Sequence, residues 1–369
     1  MRLLLWVPRS NHIKILGSVA AEAWRRGHDV LAVAPEGDAK GGDALIHAQA
    51  ELGGMVPVMD RWRLADFRPH WALAVGLRTV PTLRRLTRRR GIRWCALDHC
   101  GDNLSFLLEG DRIGEWDAMS LLSVEAAAFA GRLGAPTEGV ACQGYPELDQ
   151  LHTTVGDQVA CRQKWKLPLG QFVVLFGPAA RPIRLGRVRR GWFALIRYRR
   201  PLAALGRWCD RHGALLVAKT RAKHRDPPWL GRYCHRIIGD ESYYPFTTLE
   251  LLQAADAYVG YASAMAIEAC AVGIPQLHLH GWPPERAEWP SGWPFKRQFF
   301  LESGGLWNTD GSHALGGPWG IQHEAFLNAV RMKRAHVNPD AMRAACARWA
   351  GPLDGQASSR VLDLLEARC

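Results

Sequence analysis

The stretch 246–280, FTTLELLQAADAYVGYASAMAIEACAVGIPQLHLH, constrains the fold more than any other part of the chain. Leu249, Leu251, Leu252 and Ala255 give a short helix one apolar side, and residues 257–259 form a brief apolar run of the kind that makes a buried strand. Tyr261, Ala262 and Ser263 break that run. Residues 265–272 then read as a helix of small side chains, with Gly273 as its C-cap and Pro275 just beyond. A further strand starts at Gln276. Helix, strand, turn, helix and strand within 35 residues is the rhythm of a doubly wound α/β domain. The turn lies at the carboxyl end of a strand and the amino end of a helix, where free N–H groups and the helix dipole favour a phosphate. Ser263 adds a hydroxyl there, Ala264 beside it is a further donor-binding candidate, and Glu268 is spaced to receive the two hydroxyls of a ribose. The alternative is a Ser263 that only caps the helix and a solvated Glu268.

At 369 residues the chain is long for one core, so two domains are expected. The net charge of +12 suits an anionic small substrate, a membrane surface or nucleic acid. The excess is clustered. Arg84, Arg85, Arg88, Arg89, Arg90 and Arg93 form one group, and arginines from Arg181 to Arg200 form another. The second is interleaved with Trp192, Phe193, Ile196 and Tyr198, which suits an amphipathic helix on acidic lipid or a plain solvated face. No nucleic-acid-binding motif accompanies the charge, so nucleic acid is not an expected partner. Nine cysteines without a CxxC pattern read as reduced thiols of a cytosolic protein. No signal peptide is expected, and no apolar run reaches the roughly 18–20 residues of a membrane span. Neither a DxD nor a spaced His/Cys cluster is present, so no metal is expected.

The first strand, in RLLLWVP, leads into Ser10, Asn11 and His12 without a glycine-rich loop, which argues against a dinucleotide site. Residues 93–98, RWCALD, read as a buried strand that ends at His99-Cys100-Gly101-Asp102. The carboxyl end of such a strand is where open α/β sheets bind ligands. His99 is therefore the candidate general base for an acceptor hydroxyl, because an imidazole titrates near neutral pH. Asp98 or Asp102 would orient it or serve as base in its place; a loop histidine with a local hydrogen bond is the alternative. In the second half, the strand LLVAK at 215–219 is followed by a basic run. Lys219, Arg221, Lys223, His224 and Arg225 make either an anion site that offsets charge on a departing phosphate or a basic surface loop.

The 246–280 segment resembles the nucleotide-binding signature of glycosyltransferases with the two-domain GT-B fold. The nearest branch holds CDP-glycerol glycerophosphotransferases and capsular-polysaccharide transferases. Leu251, Ala255, Asp256, Ser263, Glu268, Gly273 and Pro275 carry the likeness. Gly144, Pro146 and Asp149 resemble the Gly-x-Pro-x-x-Asp found where such chains leave the first domain, and Asp354-Gly355 resembles the Asp-Gly before their last helix. The branch usually has an Asp directly before the aromatic of the turn, where this chain has Gly260.

The resemblance implies an α/β fold with two Rossmann-like parallel-sheet domains facing a central cleft. Residues 1–150 would form the acceptor side, 151–168 a linker, 169–350 the nucleotide-donor side and 351–369 a terminal helix. It places Asn11 and His12 on the acceptor side and a His99-type base at the cleft. Arg181 would meet the donor pyrophosphate, Lys219, Arg221 and His224 would surround the phosphates, and Tyr244 would stack on the base. The implied activity is metal-independent transfer of a sugar from a nucleotide-activated donor to a hydroxyl acceptor in cell-surface polysaccharide or glycolipid synthesis. The alternatives are CDP-glycerol-type polyol-phosphate transfer and a UDP-N-acetylglucosamine 2-epimerase-like enzyme. The donor is substrate, so no cofactor is expected. The acceptor is expected to be lipid-linked, and the enzyme cytoplasmic, peripheral to the inner membrane face.

Overall fold

The computed structural model describes residues 1–7, 12–33, 66–76, 90–98, 116–132, 138–178, 191–220, 228–239, 247–260, 264–280, 308–316, 319–333 and 338–369. The first sheet is wholly parallel. Its strands are β1 (Arg2–Trp6), β2 (Asp29–Val33), β3 (Trp71–Val75), β4 (Arg93–Leu97), β5 (Ala118–Leu121) and β6 (Val140–Cys142), in the order β2-β1-β3-β4-β5-β6. Helix α1 (Ile13–Arg25) returns the chain from β1 to β2, and α2 (Val124–Arg132) follows β5. These strands are near-continuous apolar runs because both faces of a parallel sheet are covered. Leu3, Leu4, Trp71, Leu73, Cys95 and Leu121 are all sealed in one core. The run 116–122 contains β5. Four buried residues paired between β4 and β6 are too short to announce a strand by pattern.

A short 3-10 turn (Pro146–Asp149) leads into helix α3 (Gln150–Thr153), and α4 (Gln158–Lys164) lies in the segment 151–168 expected to be a linker. Arg162 explains the order of this segment. Its guanidinium pairs with Asp256 at 2.7 Å and donates to the carbonyls of Ala254, Pro168, Leu169 and Gln171.

The second sheet holds β7 (Val173–Gly177), β8 (Leu215–Lys219), β9 (Arg236–Ile238), β10 (Ala257–Gly260), β11 (Gln276–His280), β12 (Asn308–Thr309) and β13 (Ser312–Gly316). Their order is β12-β13-β11-β10-β7-β8-β9, parallel except for β12 against β13. Its helices are α5 (Gly191–His212), α6 (Thr247–Ala254), α7 (Met265–Val272) and α8 (Ile321–Arg331). Both sheets thus have helices alongside their strands, the Rossmann-like pair expected from the alternating pattern. The helix–strand–helix–strand reading of 246–280 is borne out as α6, β10, α7 and β11, with Gly273 at φ 82° closing α7.

Two last helices, α9 (Pro339–Ala350) and α10 (Ala357–Glu366), return to the first sheet's core through Met342, Cys346, Trp349, Val361, Leu362 and Leu365. Asp149 caps α10: its carboxylate accepts the Ala357 N–H at 3.0 Å and the Ser358 N–H at 2.7 Å. Asp149 of the Gly-x-Pro-x-x-Asp run is therefore a structural clasp here. The crossing depends on Gly351, at φ 89° and ψ 176°, a region essentially reserved for glycine. A Cβ there would strike the Leu122 carbonyl and the Gly144 Cα. Gly351→Ala is expected to cost about 2–3 kcal/mol through strain and overpacking. Urea unfolding checks this, and a variant as stable as the wild type contradicts it.

Candidate functional site

In the second sheet the chain starts at β7, moves out through β8 and β9, then returns to the other side of β7 as β10. The topological switch point therefore lies between β7 and β10, and ligands of open α/β sheets bind beyond the carboxyl ends of strands at such a point. Those ends are Gly177 and Gly260, which are register partners. Arg181 follows the first and Ser263 the second. Both lie outside the described residues, as do His99, Asp102, Arg221, His224 and Tyr244.

A Cβ on Gly177 would come within 2.7 Å of the Tyr258 hydroxyl, and one on Gly260 would overlap it. The phenol of Tyr258, fully buried, thus fills the space over both glycines. An Asp at 260 cannot be accommodated while Tyr258 stays in place, which gives a steric reason for the glycine in this chain. Asp256, matched in the resemblance, has a structural task. Its carboxylate accepts the Val173 N–H at 2.7 Å and pairs with Arg162. Glu250 accepts from Lys164 at 2.7 Å and from the Trp165 indole at 2.9 Å.

The described candidates are His12, Asp98, Lys219, Ala264 and Glu268; His12 is the buried N-cap residue of α1. Asp98 directly follows β4, is 2 % exposed, and its N–H donates to the Ser120 carbonyl. Lys219 ends β8 and is 3 % exposed. Ala264 is the N-cap of α7, its carbonyl accepting from the N–H groups of Ile267 and Glu268. Glu268, in the first turn of α7, is buried rather than solvated.

Glu268 belongs to a cluster that the sequence reading missed. Lys14, in the first turn of α1, lies 3.1 Å from Glu147 and 3.9 Å from Glu268, and donates to the Thr248 hydroxyl at 3.0 Å. A lysine at the positive end of a helix is disfavoured by the macrodipole. The Glu147 carboxylate compensates for it. The first turns of α1, α6 and α7 thereby meet, and in parallel βα units those turns mark the carboxyl edges of their sheets. The two edges are tied together at this point.

The two glutamates are in different states. Burial works to raise Glu147, but the Lys14 charge and hydrogen bonds from Glu268, Lys14 and Tyr145 outweigh it and hold it below the usual range. Glu268 is pushed well above that range by burial, then by the Glu147 carboxylate, with Lys14 and Lys219 opposing. Two neighbouring buried carboxyls resist joint ionisation, and the opposite directions of the pair favour the proton on Glu268. Only its place beside the glycine and proline of the GYPELD run marked Glu147 in the sequence; nothing paired it with Lys14 across 133 positions.

Among the described residues, no group of three His, Cys, Asp or Glu side chains could hold a metal. Nor is any described helix long and apolar enough to cross a membrane.

No family model matches the sequence, and no curated protein matches it. Solved structures match at the level of fold. The UDP-GlcNAc 2-epimerase of Neisseria meningitidis bound to UDP-GlcNAc superposes with a TM-score of 0.64 at 13 % identity, over 100 % of both chains. The S. aureus MnaA–UDP structure gives 0.63 at 12 % identity over 100 % of this chain and 96 % of that one. A variant of the wall teichoic acid polymerase TagF gives 0.64 at 12 % identity over 100 % of this chain and 88 % of the other. The chain therefore has a GT-B-like α/β fold, shared with epimerases and with a TagF-type polymerase.

Proposed function

We propose that this protein is a transferase that moves a sugar from a nucleotide-activated donor to a hydroxyl acceptor. The observation that carries the reading is a buried Glu268 in the first turn of α7, which follows β10 at the switch point, with a buried Lys219 at the carboxyl end of β8 in the same sheet. In this reading the ribose hydroxyls bind Glu268, and the diphosphate lies against Ser263, Ala264 and Lys219 with Arg181, Arg221 and His224. Tyr244 stacks on the base. His99 takes the acceptor proton, with Asp98 or Asp102 orienting it. The domain limits proposed are 1–150, 151–168, 169–350 and 351–369. The donor carries its own activation and the pocket its own cations, so neither cofactor nor metal enters the proposal. A lipid-linked acceptor and an acidic inner membrane surface are the proposed setting. CDP-polyol transfer uses the same site with attack at phosphorus.

A second reading, UDP-N-acetylglucosamine 2-epimerase-like chemistry, is favoured by one observation. Glu147 supplies an acidic partner to Glu268 that the sequence alone did not pair. Incubation with UDP-N-acetylglucosamine and no acceptor separates the readings, because only an epimerase then changes the sugar.

Calorimetric titration with UDP, CDP, GDP and dTDP tests the donor site. One of them is expected to bind, and the tightest names the donor base. Binding by none rejects the reading.

A further inference from the structure

The nucleotide reading leaves Lys14, Glu147 and Thr248 without a task, although they enclose the carboxyl group that would meet the ribose. Lys14 and Glu147 come from the first sheet's side, on α1 and on the turn after β6, while Thr248 and Glu268 come from α6 and α7. Glu147 and Glu268 are 3 % and 2 % exposed, and the Glu268 Oε2 atom has no donor aimed at it. This arrangement holds Glu268 in one position with one oxygen unused.

Resting on the donor-site reading above, we propose that Lys14 and Glu147 are positioning residues of the nucleotide site, acting through Glu268, and that a ribose diol bound at Glu268 displaces the proton it shares with Glu147. In the free protein Lys14 sits 3.1 Å from Glu147 and 3.9 Å from Glu268, and the opposite directions of the two carboxyls favour a proton on Glu268. A carboxylate that accepts two ribose hydroxyls must be ionised. The step is therefore an exchange: the Glu268 O–H bond to Glu147 breaks, two ribose O–H groups donate to the Glu268 carboxylate, and the proton leaves to solvent. Lys14 stays between the carboxylates and offsets the added negative charge. Because its partners lie on both sides, nucleotide binding at the second sheet is felt by the first.

Charges from several elements act on Glu268. Lys14 comes from α1, Glu147 from the turn after β6 and Lys219 from the end of β8. Helix α6 contributes the Thr248 hydroxyl at Lys14. From α9, the Cys346 thiol packs on the Ile267 carbonyl, and Arg343 reaches the Val272 carbonyl at the far end of α7. On β11, His278 and Gln276 bond to each other, and Gln276 donates to Cys270. Lys14, Lys219 and Glu147 are thus the charges that set the Glu268 proton.

The test is calorimetry in two buffers of different ionisation enthalpy, between about pH 6 and 8, above the range of ordinary carboxyls. The probes are UDP-N-acetylglucosamine and CDP-glycerol, whose phosphate esters do not titrate in that interval. About one proton is expected to leave per bound nucleotide where Glu268 is protonated in the free protein, with affinity rising about tenfold per pH unit. Glu147→Gln removes the second influence, after burial, that raises Glu268, so proton release is expected to fall below the wild-type value, with weaker but measurable binding. If that variant does not fold, the wild-type measurement decides alone. Nucleotide binding without proton release overturns this inference and leaves the donor site standing, as does a Glu147→Gln protein that releases as much as the wild type. Failure of every nucleotide to bind rejects both.

Discussion

Replacing Lys14 with Met is expected to destabilise the fold by about 3–5 kcal/mol at neutral pH, the cost of leaving a buried carboxylate without its counter-charge. Lys14 is 3.1 Å from Glu147, whose side chain is only 4 % exposed. Methionine keeps much of the packing volume, so the loss reports charge. The pH dependence identifies the cause. Glu147 is held below its unfolded value, so its contribution is complete above about pH 4.5 and fades as pH falls through the lower, folded value. The deficit of the variant should shrink in acid as Glu147 protonates. Glu268 has the opposite sign. Its folded value is raised, so the folded state binds the extra proton and stability falls with rising pH from about 4.5 up to that value. Glu268→Gln should remove that decline. Urea titrations at several pH values measure both. A Lys14→Met protein within about 0.5 kcal/mol of wild type would show that the cluster is not held by charge.

Replacing His99 with Ala is expected to lower turnover by roughly 10²–10⁴-fold, the usual worth of a positioned general base. Donor affinity should stay nearly unchanged. The reason lies in topology: His99 directly follows Asp98 at the end of β4, in the first sheet, whereas Lys219 and Glu268 belong to the second. Steady-state kinetics with the tightest-binding donor, beside calorimetry, reads the two quantities apart. Normal turnover in the variant moves the base to Asp98, Asp102 or His12. Equal loss of affinity and turnover makes His99 a phosphate ligand.

The fold was legible in the sequence where local pattern decides it. Continuous apolar runs such as RLLLW, WALAV and LLVAK gave buried parallel strands, and Gly273 with Pro275 closed α7 where expected. Short elements whose identity rests on distant pairing were less visible: β5 spans four residues, and β12 and β13 follow a long proline- and tryptophan-rich segment. The site divided in the same way. Glu268 and Lys219 stood out because each sits beside a turn with helix or strand punctuation. Lys14 and Glu147 did not, because nothing local distinguishes a lysine in an amphipathic helix from a solvated one. Their significance comes from three helix starts meeting, which only the assembled chain supplies. The matched Asp256 and Asp149 show the converse, since both bind backbone N–H groups and serve the scaffold.

The most direct test of the donor site is a crystal structure of the protein with its tightest-binding nucleoside diphosphate. The expected complex has both ribose hydroxyls on the Glu268 carboxylate and the diphosphate within hydrogen-bond distance of Lys219 and the first turn of α7. A nucleotide bound elsewhere, with Glu268 still hydrogen-bonded to Glu147, contradicts the account.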